Sequence, residues 1–500
     1  MSLGKTLHFV LTASLLLSAA ILTACNQTSP IANSTISANA GKLPITTRSD
    51  EARQEFITGR DLSDRLLGQE SLAHFDKAIS LDPEFASAEL ARANNSPTAK
   101  EFFEHLKKAV SLSDKASDGE KLFILANEAA ANGDTVKQKD DLDKLVAAYP
   151  SDERAQFALG NYYFGQQELD QAIEHYKKAT EIAPNFSGSY NILGYAYRQQ
   201  GDYVSAERAF KKYVELIPND PNPYDSYAEL LLKMGRFDES QTQYHKALSI
   251  DPHFVPSHFG LSAALLYSGK TSDAQAELQE MADHARNDGE LRTAYFGMAV
   301  VASDGGKFDQ ALQAMDKEYA VAEKSNDVVS MAADLQAKGN ILAEIPRLDE
   351  AQRVFDRSFQ MIQTSSQSPE IKNNSKLLHE FNSAAIAISK KDFAAAKAHA
   401  EEFRKGAEAT KNAAQAKQSH ELAGRIALGE KDYGKAIAEL EQANLQDPRN
   451  LYRLSQSYQA SGDDAKAHDY LMKSADFNPL PGLPYAFIRT KVQKQIAQKA

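Results

Sequence analysis

Along residues 153–288, apolar positions fall at helical spacing, in runs broken by short polar turns. The runs are alike. "ERAQFALGNYYFGQQELDQAIEHYKKATEIAPNF" (153–186) is followed by "SGSYNILGYAYRQQGDYVSAERAFKKYVELIPND" (187–220), then "PNPYDSYAELLLKMGRFDESQTQYHKALSIDPHF" (221–254), and a fading copy at 255–288. Each block predicts two helices. Turns such as "QGDY" and "MGRF" set a glycine just past the end of the first helix, and a proline, which has no amide hydrogen, closes the second. Pro150, Pro184, Pro218 and Pro252 keep a constant interval. So do Gly160, Gly194, Ala228 and Ser262, and likewise Ala172, Ala206, Ser240 and Ala274. Self-similarity at this period implies an all-α solenoid of stacked helix pairs.

The marks resemble the tetratricopeptide repeat (TPR). In the first block the family's positions fall on Gln156, Leu159, Gly160, Tyr163, Ala172, Tyr176, Ala179 and Pro184. In the second they fall on Tyr190, Leu193, Gly194, Tyr197, Ala206, Phe210, Tyr213 and Pro218. The family's tryptophan is replaced by Gln156, Tyr190, Tyr224 or His258, which accounts for a chain without tryptophan. The resemblance implies a right-handed superhelical α-solenoid. Gly194 is expected to face Ala206, small against small, with Tyr and Phe filling the space beside them.

The same frame extends outward. Blocks 52–85 and 119–152 fit, with a degenerate repeat expected between Pro83 and Pro150. Beyond 290 the marks Ala311, Ala351, Ala396 and Ala436 stand roughly 40–45 residues apart, which predicts longer helices or longer loops such as "TSSQSPEIKNNSK" (364–376). Eleven or twelve repeats are expected over 52–481. The division read from the chain is a regular array at 51–288, a longer degenerate array at 289–482 and a cap helix at 483–500. In that last helix Ile488, Val492 and Ile496 share a stripe among basic residues; a solubilising cap and a basic membrane-surface helix are the two readings.

The N-terminus is of another kind. "FVLTASLLLSAAILTA" (Phe9 to Ala24) follows Lys5 and ends at Cys25, which marks residues 1–24 as a signal peptide. Leu22-Thr23-Ala24-Cys25 resembles the bacterial lipobox, which implies a lipidated Cys25 held by several acyl chains. Asn26 after it, by analogy with Gram-negative sorting, points to the outer membrane facing the periplasm. Residues 25–50, rich in Ser, Thr and Asn, are expected to be a disordered tether.

Composition narrows the functions. A formal charge of −12 argues against a nucleic-acid partner. Cys25 is the only cysteine, so no intrachain disulfide or cysteine metal cluster forms. "SGKTSD" (268–273) lacks the first glycine of a phosphate loop, and "HEFNS" at His379 and "HELAG" at His420 lack the second histidine of a zinc-protease helix. "KDDLDK" (139–144) reads as a solvated helix face, and His253 and His258 as ordinary histidines rather than a metal pair. No catalytic residue, metal site or cofactor is expected.

What remains is the groove. In the TPR family, block positions 2, 5, 9, 12 and 13 line the concave face. Here they carry Arg154, Phe157, Asn161 and Phe164; Asn191, Tyr195, Arg198 and Gln199; and Asn222, Asp225, Glu229 and Lys233. A mixed aromatic and amide surface suits an extended peptide or partner helix. The two-carboxylate clamp of chaperone-binding relatives is matched by Asn161 alone. The expectation is a non-enzymatic, lipid-anchored scaffold for protein partners of an envelope assembly, secretion, pilus or polysaccharide-export complex. A glycan- or peptidoglycan-binding lipoprotein, stacking sugars on the groove aromatics, is the alternative.

Overall fold

The computed structural model describes residues 41–65 and 67–498. The signal peptide, Cys25 and the tether up to residue 40 lie outside the described residues. Among the described residues the chain is all α, without a strand, and runs through twelve successive helix pairs. It forms two compact units that part between Leu230 and Leu231.

In the first unit, helices Asp50–Asp64 and Gly68–Leu81 make the opening pair. The degenerate repeat expected before Pro150 is Ala86–Asn94 with Ala99–Leu112, its first helix cut to 9 residues. Asp118–Asn132 with Thr135–Ala148, Glu153–Gly165 with Leu169–Ile182, and Ser187–Gln200 with Tyr203–Leu216 follow. Gly201 takes a left-handed φ of 87° and returns its N–H to the carbonyls of Tyr197 and Arg198, which ends the helix as the "QGDY" turn predicts.

The small residue of the first helix makes room for an aromatic ring of the second. A Cβ on Gly194 would stand 2.7 Å from the Phe210 ring, and one on Gly160 2.7 Å from the Tyr176 ring. Gly59 against Phe75 and Gly339 against Phe355 repeat the arrangement. The glycine therefore admits the aromatic ring of its paired helix, in a core where Ala206 is fully buried.

In the second unit the stretched spacing comes from longer helices. Asp288–Asp304, Phe308–Lys324, Val328–Glu344 and Leu348–Thr364 have 17 residues each, and Pro369–Ser389 has 21. The supposed loop 364–376 is mostly the start of that last helix. A charged group lies inside. Arg292 pairs with Asp334 and, at 3.4 Å, with Glu318, all three buried. Burial lifts the Asp334 carboxyl to about 6, against the pull of Arg292.

The C-terminal residues pack on their own unit with the stripe inward and with Lys491, Gln493 and Lys494 exposed. Leu483–Ala486 and Arg489–Ala497 are short helices, and Ile488 and Val492 pack with Leu471 and Tyr485. Arg489 forks onto Asp304 at 2.5 and 2.6 Å, and Lys491 pairs with Glu344. The stripe is packed within the unit, so it is not left as an apolar face for a membrane surface. Among the described residues no helix is long and apolar enough to cross a membrane.

Candidate functional site

Eight of the twelve expected groove residues are buried: Arg154, Phe157, Asn161, Asn191, Tyr195, Asn222, Asp225 and Glu229. Phe164, Arg198, Gln199 and Lys233 are half-buried. They join one repeat to itself or to the next. The Tyr176 hydroxyl donates to Asn161 Oδ1 at 2.8 Å. Tyr195 donates to Ser226 Oγ at 3.3 Å, and Arg198 Nη1 to Glu229 Oε2 at 3.2 Å. The Arg198 guanidinium also lies 4.6 Å over the Tyr195 ring. Burial, with Glu229 and Asp225 nearby, pushes the Tyr195 hydroxyl pKa well up. Phe157 is fully covered by neighbours that include the Tyr176 and Phe186 rings.

Arg154 shows why this face is closed. Burial, and then Arg60 close by, lower its pKa well below the usual value, while Asp64, Glu153 and Asp152 oppose them. The inner face of the fourth pair thus meets charges from the first helix of the unit. Arg154 Nη1 and Nη2 and Asn191 Oδ1 find no hydrogen-bond partner among the described residues. The sequence frame groups these positions by spacing, which cannot show how near the repeats come to one another.

A second surface of this unit was not legible as a site. Residues 41–49, the last part of the expected tether, are ordered along the N-terminal ends of the first helices. Leu43 N–H donates to Asp152 Oδ2 at 2.8 Å, Thr46 N–H to Glu120 Oε1 at 2.9 Å and Arg48 N–H to Asp82 Oδ2 at 3.0 Å. The Thr47 hydroxyl adds a bond to Asp82 Oδ2 at 2.6 Å, and Arg53 donates to the Ile45 carbonyl at 2.5 Å. Lys42 pairs with Glu153, and Arg48 with Glu84 at 2.7 Å. Leu43 packs on the core around Ala126, Leu142 and Leu159, and Ile45 on that around Phe56 and Phe85. Side chains alternate between half-buried and exposed from Leu43 to Asp50, as an extended chain requires.

The second unit holds another stretch of its own chain. Lys233, at groove position 13, donates to the Phe477 carbonyl at 2.5 Å and lies 3.8 Å over its ring. Tyr267, at the same place one block later, donates to the Pro479 carbonyl at 2.9 Å. The non-helical run 477–480 is therefore read through its backbone by successive first helices.

His258, His379 and His420 each hold a partner within the fold. His258 bonds Glu277 through Nδ1 and the Pro252 carbonyl through Nε2 at 2.8 Å. Burial lowers its pKa, but these two acceptors outweigh burial and hold it raised. His379 bonds Asp356, and His420 bonds Glu439, each at 2.8 Å. Among the described residues no group of three or more His, Cys, Asp and Glu is placed to hold a metal.

Models of the tetratricopeptide repeat match residues 153–186, 175–208 and 222–254. No curated protein matches the chain. Among solved structures, a thermophilic TPR protein of Thermus thermophilus is 22% identical with a TM-score of 0.30, over 43% of this chain and 99% of its own. A tetratricopeptide repeat protein from Parabacteroides merdae is 13% identical with a TM-score of 0.35, over 57% of this chain and 99% of its own. With these matches, over 153–208 and 222–254, set in a series of helix pairs, the chain is a tetratricopeptide repeat protein.

Proposed function

We propose that this protein is a lipid-anchored scaffold that holds protein partners within a bacterial envelope assembly, secretion, pilus or polysaccharide-export complex, at the outer membrane facing the periplasm. Tetratricopeptide repeats generally bind protein partners. One observation carries the proposal: Lys233 and Tyr267, equivalent positions of successive repeats, each take a backbone carbonyl from one run of polypeptide. Contacts of that kind recognise a chain by its main chain, the currency of extended-peptide binding. Envelope placement is supported by the apolar run ending in Leu22-Thr23-Ala24-Cys25. The glycan alternative is weakened because the Phe157 and Tyr195 rings, which would have stacked sugars, are 0% and 2% exposed.

Photo-crosslinking in cells from position 164, where Phe164 is half-buried, tests the scaffold. Discrete protein adducts are expected; an absence of protein adducts together with retention on a glycan resin would refute it. Cys25→Ser is expected to move the protein from the membrane to the soluble fraction, and extraction by detergent alone would refute the anchor.

A further inference from the structure

We propose that the edge built from Asp82, Glu120 and Asp152 is a binding site for an extended peptide, closed in cis by residues 41–49 and open to a partner segment of the same build. That build is two apolar side chains two residues apart, free amides facing the carboxylates, a hydroxyl and basic flanks. This deepens the scaffold proposal and rests on it.

The site is made independently of its occupant. Asp152 caps its helix through Oδ1, accepting from Arg154 and Ala155 N–H at 2.9 Å each, while Oδ2 is given to Leu43. Glu120 closes a capping box with Ser117 through Oε2, while Oε1 accepts from Thr46 and, at 2.7 Å, from Ser87. Asp82 keeps Oδ1 for the Glu84 amide at 3.2 Å and turns Oδ2 to Thr47 and Arg48. Each carboxylate is thus oriented by its own turn or helix and offers its second oxygen outward, preorganised whether or not the strap is present. Gly119 leaves room for the apolar anchor, since a Cβ there would lie 2.5 Å from Leu43 Cδ1. The strap itself is lightly held. None of residues 41–50 is fully buried, and Leu43 and Ile45 are its two apolar contacts with the cores. Segments with few buried contacts open locally, without global unfolding. The covalently attached strap competes at high effective concentration, so a partner meets the site only in the opened fraction.

The test uses the full chain with Leu43→Asp and Ile45→Asp, which remove both anchors from the strap and leave the site intact. A fluorescent peptide with the sequence of residues 41–49 is titrated by anisotropy against this variant and the unchanged protein. The released variant is expected to bind on the order of tenfold tighter or more, and a peptide N-methylated at the positions of Leu43 and Thr46 is expected not to bind. Equal, weak binding to both proteins, with amide exchange showing the strap free, would overturn the proposal. Should the double variant lose its helical signal, Thr46→Pro deletes one N–H without adding charge and is read in the same way. Loss of fold in both would show the strap to be core, which also overturns exchange. Protein adducts from position 164 persisting beside a failed peptide titration would leave the scaffold standing without this site.

Discussion

The two units each bind a piece of their own chain, and they do so at opposite ends of the first helices. At the N-terminal ends in the first unit, the strap donates three amides to carboxylates that also serve as caps or turn acceptors. At the C-terminal ends in the second unit, Lys233 and Tyr267 donate to carbonyls of the 477–480 run. Beyond the hydrogen bonds the two differ in burial. Leu483, Tyr485, Phe487, Ile488 and Val492 are all buried, whereas no residue of the strap is. Polar backbone contacts place a segment, and apolar burial decides whether it stays. The C-terminal segment is part of a core; the strap is a ligand that happens to be attached.

The largest effect is expected from Arg489→Ala. It leaves Asp304, 3% exposed at its side chain, without its forked partner, and removing one member of such a pair costs about 3–5 kcal/mol. Urea unfolding of the second unit should show it, and adding Asp304→Asn should recover much of the loss. A cost below about 1 kcal/mol would mean that the C-terminal segment is held as loosely as the strap.

The next is a pH effect confined to the second unit. Asp334, lifted to about 6, binds its proton more tightly folded than unfolded. Its contribution is present below about pH 4 and is lost as pH rises through about 6, with a magnitude of roughly 1–3 kcal/mol. The stability of Asp334→Asn should therefore gain on the unchanged protein over that window. Parallel curves would remove the buried Arg292 group as a source of the units' different pH response.

The smallest is expected at the strap. Leu43→Ala should lower the stability of the first unit by no more than about 1 kcal/mol, because its side chain is only half-buried. A loss of about 3 kcal/mol or more, the range of a full core truncation, would erase the contrast between the segments.

Much of the array was legible because it depends on local spacing. Glycine and aromatic positions, turn glycines and closing prolines recur at fixed intervals, and each corresponds to a contact or turn that recurs with them. Spacing names the positions that share a core, and the structure adds that the Phe210 ring lies nearest Gly194. The strap was hidden by composition: Ser, Thr and Asn up to residue 39 masked the short alternation of Leu43, Ile45 and Thr47. Its acceptors were hidden as well, since Glu120 and Asp152 are common residues at helix starts, where a cap explains them, and Asp82 ends a helix in an ordinary turn. Arg292, Glu318 and Asp334 lie on three helices and carry no local signal. The burial of the expected groove residues comes in part from the approach of repeats far apart in sequence, as of Arg60 and Asp64 to Arg154, which no period encodes.

Native-state hydrogen exchange compares the two segments directly. The amides of Leu43, Thr46 and Arg48 should exchange by local opening, insensitive to low urea. Amides of Phe487, Ile488 and Val492 should exchange only with global unfolding of their unit, with a urea dependence to match. Strap amides as protected and as urea-sensitive as those of the C-terminal segment would contradict an exchangeable strap.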